Sequence, residues 1–275
     1  KIRGKKNWGR SAALIRRIDE ARAAGIDVTM AQYPYTAGST FLHVVIPPWY
    51  HSRGVDGLLR ALREERGAIK HDLDTRMDWE NFSQSVGWEK IFVSSVVSEA
   101  NQPCVGKSIS QIAAERGHAD PADAAFDLLV EEQLAVGMIS FGLDEADITA
   151  IMRHPAVSFI TDGLMSGRPH PRAYATYPRI LGRYVREQGV LSLEEAVRKM
   201  TSLPARKIRL RNKGVIAEGY DADLVVFDPD TVIDKNSYDD PRVHPAGIAH
   251  VLVNGVFVVE DAALTGARPG RVIRD

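Results

Sequence analysis

The chain has 275 residues, 35 of them Lys or Arg and 36 Asp or Glu, and so balanced a charge implies neither nucleic acid nor an acidic membrane surface as partner. Its single cysteine, Cys104, excludes an internal disulfide and fits a reducing, cytoplasmic compartment. No run of 18 apolar residues occurs, so nothing in it reads as a bilayer-crossing helix.

The length suffices for one large α/β domain or two smaller ones. The chain opens KIRGKKNWG without an initiator methionine and reads as an internal start within a longer protein, so signals upstream are not visible. Arg10 to Ala24 carries Ala13, Leu14, Ile18 and Ala21 on one helical face and stops at Gly25. Ile26 to Ala31 predicts a strand, and Tyr33 to Thr40, YPYTAGST, a loop with tyrosines and hydroxyls facing outward. Pro47 to Gly54, PPWYHSRG, predicts irregular chain. Val55 to Arg66 predicts a helix, followed by a charged connection to Trp88.

Further on, the pattern becomes regular. Ile91 to Val97 predicts a strand, and Ser108 to Gly117 a helix with a serine cap and a glycine stop. Asp120 to Gln133 follows the same grammar, with Pro121 in the first turn. Val136 to Phe141 predicts a strand and Asp144 to Met152 a short helix. Strands and helices alternate, which argues for a parallel sheet or barrel.

Pro155 to Arg179, PAVSFITDGLMSGRPHPRAYATYPR, carries the densest chemistry. A short apolar run, Ala156 to Ile160, fits a buried parallel strand, and ligands of such sheets and barrels sit at the carboxyl ends of strands. Asp162 stands there, followed by His170, Arg172, Tyr174, Tyr177 and Arg179. Each has a plainer reading too: Asp-Gly is an ordinary turn, an arginine caps a helix or pairs with an acid, and a tyrosine beside proline packs. Helices are predicted over Arg179 to Glu187 and Ser192 to Met200. Thereafter β-rich pieces dominate, with Asn254-Gly255 between VLV and VFVV as a hairpin signal, because a type I′ turn needs positive φ twice.

VTMAQYPYTAGST, FITDG with HPRAYATYPRILGRYVRE, LSLEEAVRKMTSLPA, and GVIAEGYDADLVVFDPDTV with GIAHVLVNG together resemble the carboxyl-terminal part of the N-acyl-D-amino-acid deacylases, within the amidohydrolase superfamily. The resemblance covers essentially the whole chain. It implies an α/β fold: the C-terminal part of a metal-dependent (β/α)8 barrel over residues 1–205, with strands of a small β-sandwich over residues 206–275. It implies zinc as cofactor, with Asp162 as metal ligand and proton acceptor. The substrate implied is a small N-acyl amino acid, whose free carboxylate suits a guanidinium fork at Arg172. His170 is expected either to support the site from behind or to orient an oxyanion, with Tyr33, Tyr35 and Ser39 as rim contacts.

The departures are equally specific. The family's His-X-His pair, metal-binding cysteine and fifth-strand histidine belong before Lys1, and Ala31 stands where related sequences often carry an acid. Cys104 lies too far downstream to be that ligand and reads as a small apolar filler. The seven histidines besides His170 are scattered, with no short ligand spacing. The expected partner is therefore the N-terminal half of the barrel, in the same protein or a companion chain, since a half barrel exposes strand edges. A cyclic-amide hydrolase of the dihydroorotase or hydantoinase type, and a non-catalytic scaffold that has lost its ligands, are the alternatives.

Overall fold

The computed structural model describes residues 2–273, and the chain is mixed α/β. Helix α1, Ser11–Ala23, ends ahead of Gly25, whose φ of 82° suits only a residue without a side chain. Strand β1, Met30–Gln32, follows. The next segment departs from expectation: Ala37–Phe41 forms strand β2, so only the first half of YPYTAGST is loop. Gly38 lies inside the strand, where a glycine costs only modestly because β4 supplies the ladder.

Helices α2, Pro48–His51, α3, Gly54–Glu64, α4, Arg66–Thr75, and α5, Phe82–Val86, fill the stretch up to strand β3, Ile91–Ser95. Thus PPWYHSRG holds a turn of helix, and the charged connection after Arg66 is itself helical. Pro48 occupies the first helical position, where its missing N–H costs nothing. Helix α6, Ile109–Arg116, carries the expected Ser108 cap as a full capping box with Gln111, and stops at Gly117 with φ 75°. Asp120 caps α7, Pro121–Glu131. Strand β4, Gly137–Phe141, α8, Glu145–Met152, and β5, Val157–Phe159, complete this part.

Pairing direction is where helix–strand alternation misleads. β1 and β5 do pair in parallel, with Met30 opposite Val157 and Gln32 opposite Phe159. The other three strands form an antiparallel sheet in the order β2-β4-β3. Long helical connections permit either direction, so alternation alone does not fix it. The segment between β1 and β5 thereby becomes a unit with its own core, in which Leu42, Leu58, Leu62, Ile69, Ile91, Ile109, Phe126 and Met138 are all buried. Burying each large side chain contributes roughly 1.5–3 kcal/mol.

Beyond β5, helix α9, Arg172–Arg179, is kinked at Ala175 and passes into a π-helical stretch, Ile180–Glu187. An ordinary helix was expected over the latter. The widening follows Pro178, which lacks the N–H that would continue the ladder. Helices α10, Leu193–Met200, and α11, Ser202–Lys207, come next. A second cluster, including Met152, Val157, Phe159, Ile180, Tyr184 and Ala196, packs these elements under β5. The remaining strands, β6, Leu224–Phe227, β7, Ile248–Val253, β8, Val256–Glu260, and β9, Ala263–Leu264, make an antiparallel meander. Asn254 and Gly255 both have positive φ, 48° and 77°, as the hairpin signal requires. Val225, Val226, Val256, Phe257 and Leu264 of this sheet are exposed.

Candidate active site

Because β1 and β5 run side by side in the same direction, the segments leaving their carboxyl ends emerge together. The Ile160 N–H still donates to Gln32 O at 3.0 Å; two residues later comes Asp162, its backbone turned to φ 47° and its side chain 46% exposed. On the other strand, Tyr33 and Tyr35 turn inward.

Arg172, at the start of α9, is the centre of the cluster. It is 1% exposed, and a guanidinium so buried needs partners. Its Nη2 lies 2.9 Å from the Asp162 carboxylate. It also donates to Asp162 O and, at 3.3 Å, to Ser39 O. Its carbon sits 4.4 Å from the centre of the Tyr33 ring, whose negative face attracts a cation. Among the described residues, Nε and Nη1 have no hydrogen-bond partner. A second arginine repeats the arrangement: Arg179 stacks over Tyr35 at 4.7 Å, donates to Pro34 O at 3.0 Å, and pairs with Asp234 at 2.7 Å.

The structure thus gathers Asp162, His170, Arg172, Tyr33, Tyr35 and Ser39 into one cluster but gives several a different part. Tyr33 and Tyr35 are 7% and 3% exposed, so they are buried platforms under two guanidinium groups instead of outward rim contacts. Burial pushes the Tyr35 phenol above its ordinary range. Ser39 meets Arg172 through its backbone carbonyl. For His170 the geometry favours the supporting alternative over the oxyanion one. The residue is 1% exposed, its Nδ1 accepts the Arg172 N–H at 3.0 Å, and its Nε2 faces Ala37 O at 3.0 Å. Those partners fix a neutral tautomer with Nε2–H as donor and leave no donor for an oxyanion. Burial, reinforced by the neighbouring Arg172 charge, pushes its pKa down to about 3. His170 therefore ties the start of β2 to the start of α9.

Residues 65 and more positions downstream complete the cluster, and no sequence signal pointed to them. The Tyr238 ring packs edge-on against His170 at 5.1 Å and Phe141 at 4.7 Å. Asn236 Nδ2 donates to Pro171 O at 3.0 Å. The stretch DKNSYDD offers charged and polar residues and one tyrosine, a composition common on solvated loops.

Tested against a metal, the described residues offer too little. Of the cluster's acids Asp234 is paired with Arg179, Asp162 is the half-exposed one, His170 has both ring nitrogens engaged, and no group of three or more His, Cys, Asp and Glu side chains is placed to hold an ion. A tetrahedral zinc needs at least three protein ligands. A separate cavity of about 410 Å³, lined by Phe41, His43, His51, Val55, Leu58 and Leu134 among others, contains no carboxylate and is not the site of Asp162.

An α/β chain with a half-exposed carboxylate at the carboxyl end of a parallel strand, propped by a buried arginine, has the layout of an enzyme site. Residues 102–259 match the amidohydrolase family, and the chain belongs to it. It is similar to an N-acyl-D-glutamate deacylase of Alcaligenes xylosoxydans xylosoxydans, 39% identical over 269 residues, covering 98% of this chain and 46% of that protein. It is also similar to a D-aminoacylase of the same organism, 36% identical over 274 residues, covering 99% and 47%. The chain spans about half the length of the curated relatives it matches. Among solved structures, it resembles an N-acyl-D-glutamate deacylase from Bordetella bronchiseptica complexed with zinc and a phosphonate mimic of the tetrahedral intermediate. That likeness has a TM-score of 0.76 and 35% identity, and covers 99% of this chain and 48% of the other. A D-aminoacylase described by its binuclear metal center is similar with a TM-score of 0.74 and 34% identity, covering 97% and 47%.

Proposed function

We propose that this chain is the C-terminal part of a metal-dependent hydrolase that cleaves the amide bond of N-acyl-D-amino acids, releasing a D-amino acid and a carboxylate. The carrying observation is Asp162, the half-exposed carboxylate at the carboxyl end of β5, held by the fully buried Arg172. The named activities of the similar proteins support the substrate class.

In this reading β1 and β5 are neighbouring strands of a (β/α)8 barrel within residues 1–205, and residues 206–275 contribute strands to a small β-sandwich. The partner required is the other part of the barrel, whether in the same protein or a companion chain. Zinc is the proposed metal, and Asp162 is the single donor these residues offer it; the further ligands lie outside them. Asp162 takes the proton of the attacking water and returns it to the leaving amine nitrogen, work that a positioned carboxylate performs for about 10² to 10⁴-fold in rate. Arg172 fixes the orientation of that carboxylate through two bonds, one to the side chain and one to the backbone. Its uncommitted Nε and Nη1 are the donors proposed for the substrate carboxylate, with the Tyr33 face, Tyr35, His170 and Ser39 building the wall behind it.

Replacing Asp162 by Asn in the complete enzyme is expected to lower kcat about 10³-fold on N-acetyl-D-amino acids while the circular dichroism spectrum and melting point are retained. Amine release at the wild-type rate would reject the role. Hydrolysis of ring amides with no release from N-acetyl-D-amino acids would move the protein to a cyclic-amide activity.

A further inference from the structure

Asp162 adopts φ 47°, a left-handed conformation that aspartate tolerates better than most residues but still holds at a cost, so contacts that fix it matter. On one side the fixing group is Arg172. On the other it is the end of the short loop that follows. The Arg168 N–H donates to Ser94 O at 2.7 Å, at the end of β3. Its guanidinium donates to Tyr238 O at 2.9 Å and pairs with Asp239. Arg242 donates to Gly167 O at 2.5 Å. Gly167 itself, at φ 57°, lies so close to β3 that an added Cβ would stand 2.4 Å from Ser95 Cβ and 2.5 Å from Ser94 O.

The bonds of the Arg168 guanidinium and of Arg242 converge on one segment, residues 234–242, which also holds other residues that follow Asp162. Asp234 pairs with Arg179, Asn236 holds Pro171 O, Tyr238 packs on His170, and Tyr238 O with Asp239 receives Arg168. Between the two anchors the loop carries Leu164 and Met165, 41% and 59% exposed. Only Gly163, Leu164, Met165 and Ser166 separate Asp162 from the anchored Gly167, a span short enough for one end to constrain the other.

We propose that Arg168, seated on the 234–242 strap, is a positioning residue that keeps Asp162 in its left-handed, outward-facing conformation. The proposal rests on the reading of Asp162 as the reacting carboxylate. The Asp239 carboxylate is 95% exposed, so its ion pair contributes little; the guanidinium bond to Tyr238 O carries the side chain's effect, and the main-chain bond to Ser94 O is kept in every variant.

The test uses the complete enzyme with Arg168→Ala, Arg168→Lys and Asp239→Asn, read by amide hydrogen exchange and by steady-state kinetics. In Arg168→Ala, exchange at Leu164 to Arg168 is expected to quicken about tenfold or more with the rest of the chain unchanged. Its kcat is expected to fall about tenfold with KM within about twofold, because a small misplacement of a reacting group acts on the chemical step. Arg168→Lys, which retains one donor toward Tyr238 O, is expected to recover part of both, and Asp239→Asn to match the wild type. Unchanged exchange in the loop, or a kcat loss that follows a general rise in exchange, overturns the proposal. Should Arg168→Ala fail to fold, wild-type exchange and kcat in Arg168→Lys overturn it equally. A wild-type enzyme that releases no amine from any N-acyl-D-amino acid overturns the catalytic reading instead, and the exchange measurement still judges the latch on its own.

Discussion

The unit between β1 and β5 and the cluster around Asp162 bury their side chains for opposite reasons. In the unit, Phe126, Leu62, Ile69 and Met138 are fully enclosed by other apolar groups, each gaining free energy from leaving water. In the cluster, what is enclosed is a guanidinium, an imidazole and two phenols, groups that lose hydration and regain it only through geometry. The contrast teaches where stability and function are lodged: the first region holds the fold together, and the second holds a polar arrangement that the fold must support.

Three changes sharpen or break that contrast. Phe126→Ala is expected to cost about 3–5 kcal/mol, the range for a large core side chain replaced by a cavity. Denaturant unfolding measures it, and kcat at a permissive temperature should survive. A loss below about 1 kcal/mol would show that the unit is not the stabilising region.

The second change is pH. Because the folded-state pKa of His170 is depressed below its ordinary value, the folded chain binds fewer protons there than the unfolded one. The stability contributed is therefore complete above the unfolded pKa near 6.5 and is lost as pH falls from there toward about 3. Across that window the wild type should lose on the order of 3 kcal/mol more than His170→Gln, measured as the difference between their unfolding free energies at each pH. Parallel pH curves would mean that the imidazole is solvated.

The smallest effect is expected at the edge of the unit. Ser108→Ala removes the hydroxyl that caps α6 and should cost about 1 kcal/mol, visible as a lower denaturant midpoint with unchanged activity. An equal loss of kcat would tie the unit to the chemistry and blur the comparison.

The exposed sheet β6 to β9 forms a third kind of region. Val225, Val226 and Phe257 are exposed on this chain, unlike the enclosed side chains of the unit, and the hairpin is set by a local turn.

Much of this was written in local sequence. The capped helices α6 and α7, the stop at Gly117, the Asn254-Gly255 hairpin and the apolar strand ahead of Asp162 each follow from a few adjacent residues, because caps, turns and periodicity are short-range physics. So was the gathering of chemistry between Asp162 and Arg179. Only the tertiary structure decided that β2, β3 and β4 pair antiparallel, since helix–strand alternation leaves direction open. It alone turned Tyr33, Tyr35 and His170 inward, and it alone brought Asp234 beside Arg179, 55 positions away, and Tyr238 beside His170. Whether a polar side chain faces water or a buried cation depends on what folds over it, and that information lies in contacts between distant segments, not in the residue or its neighbours.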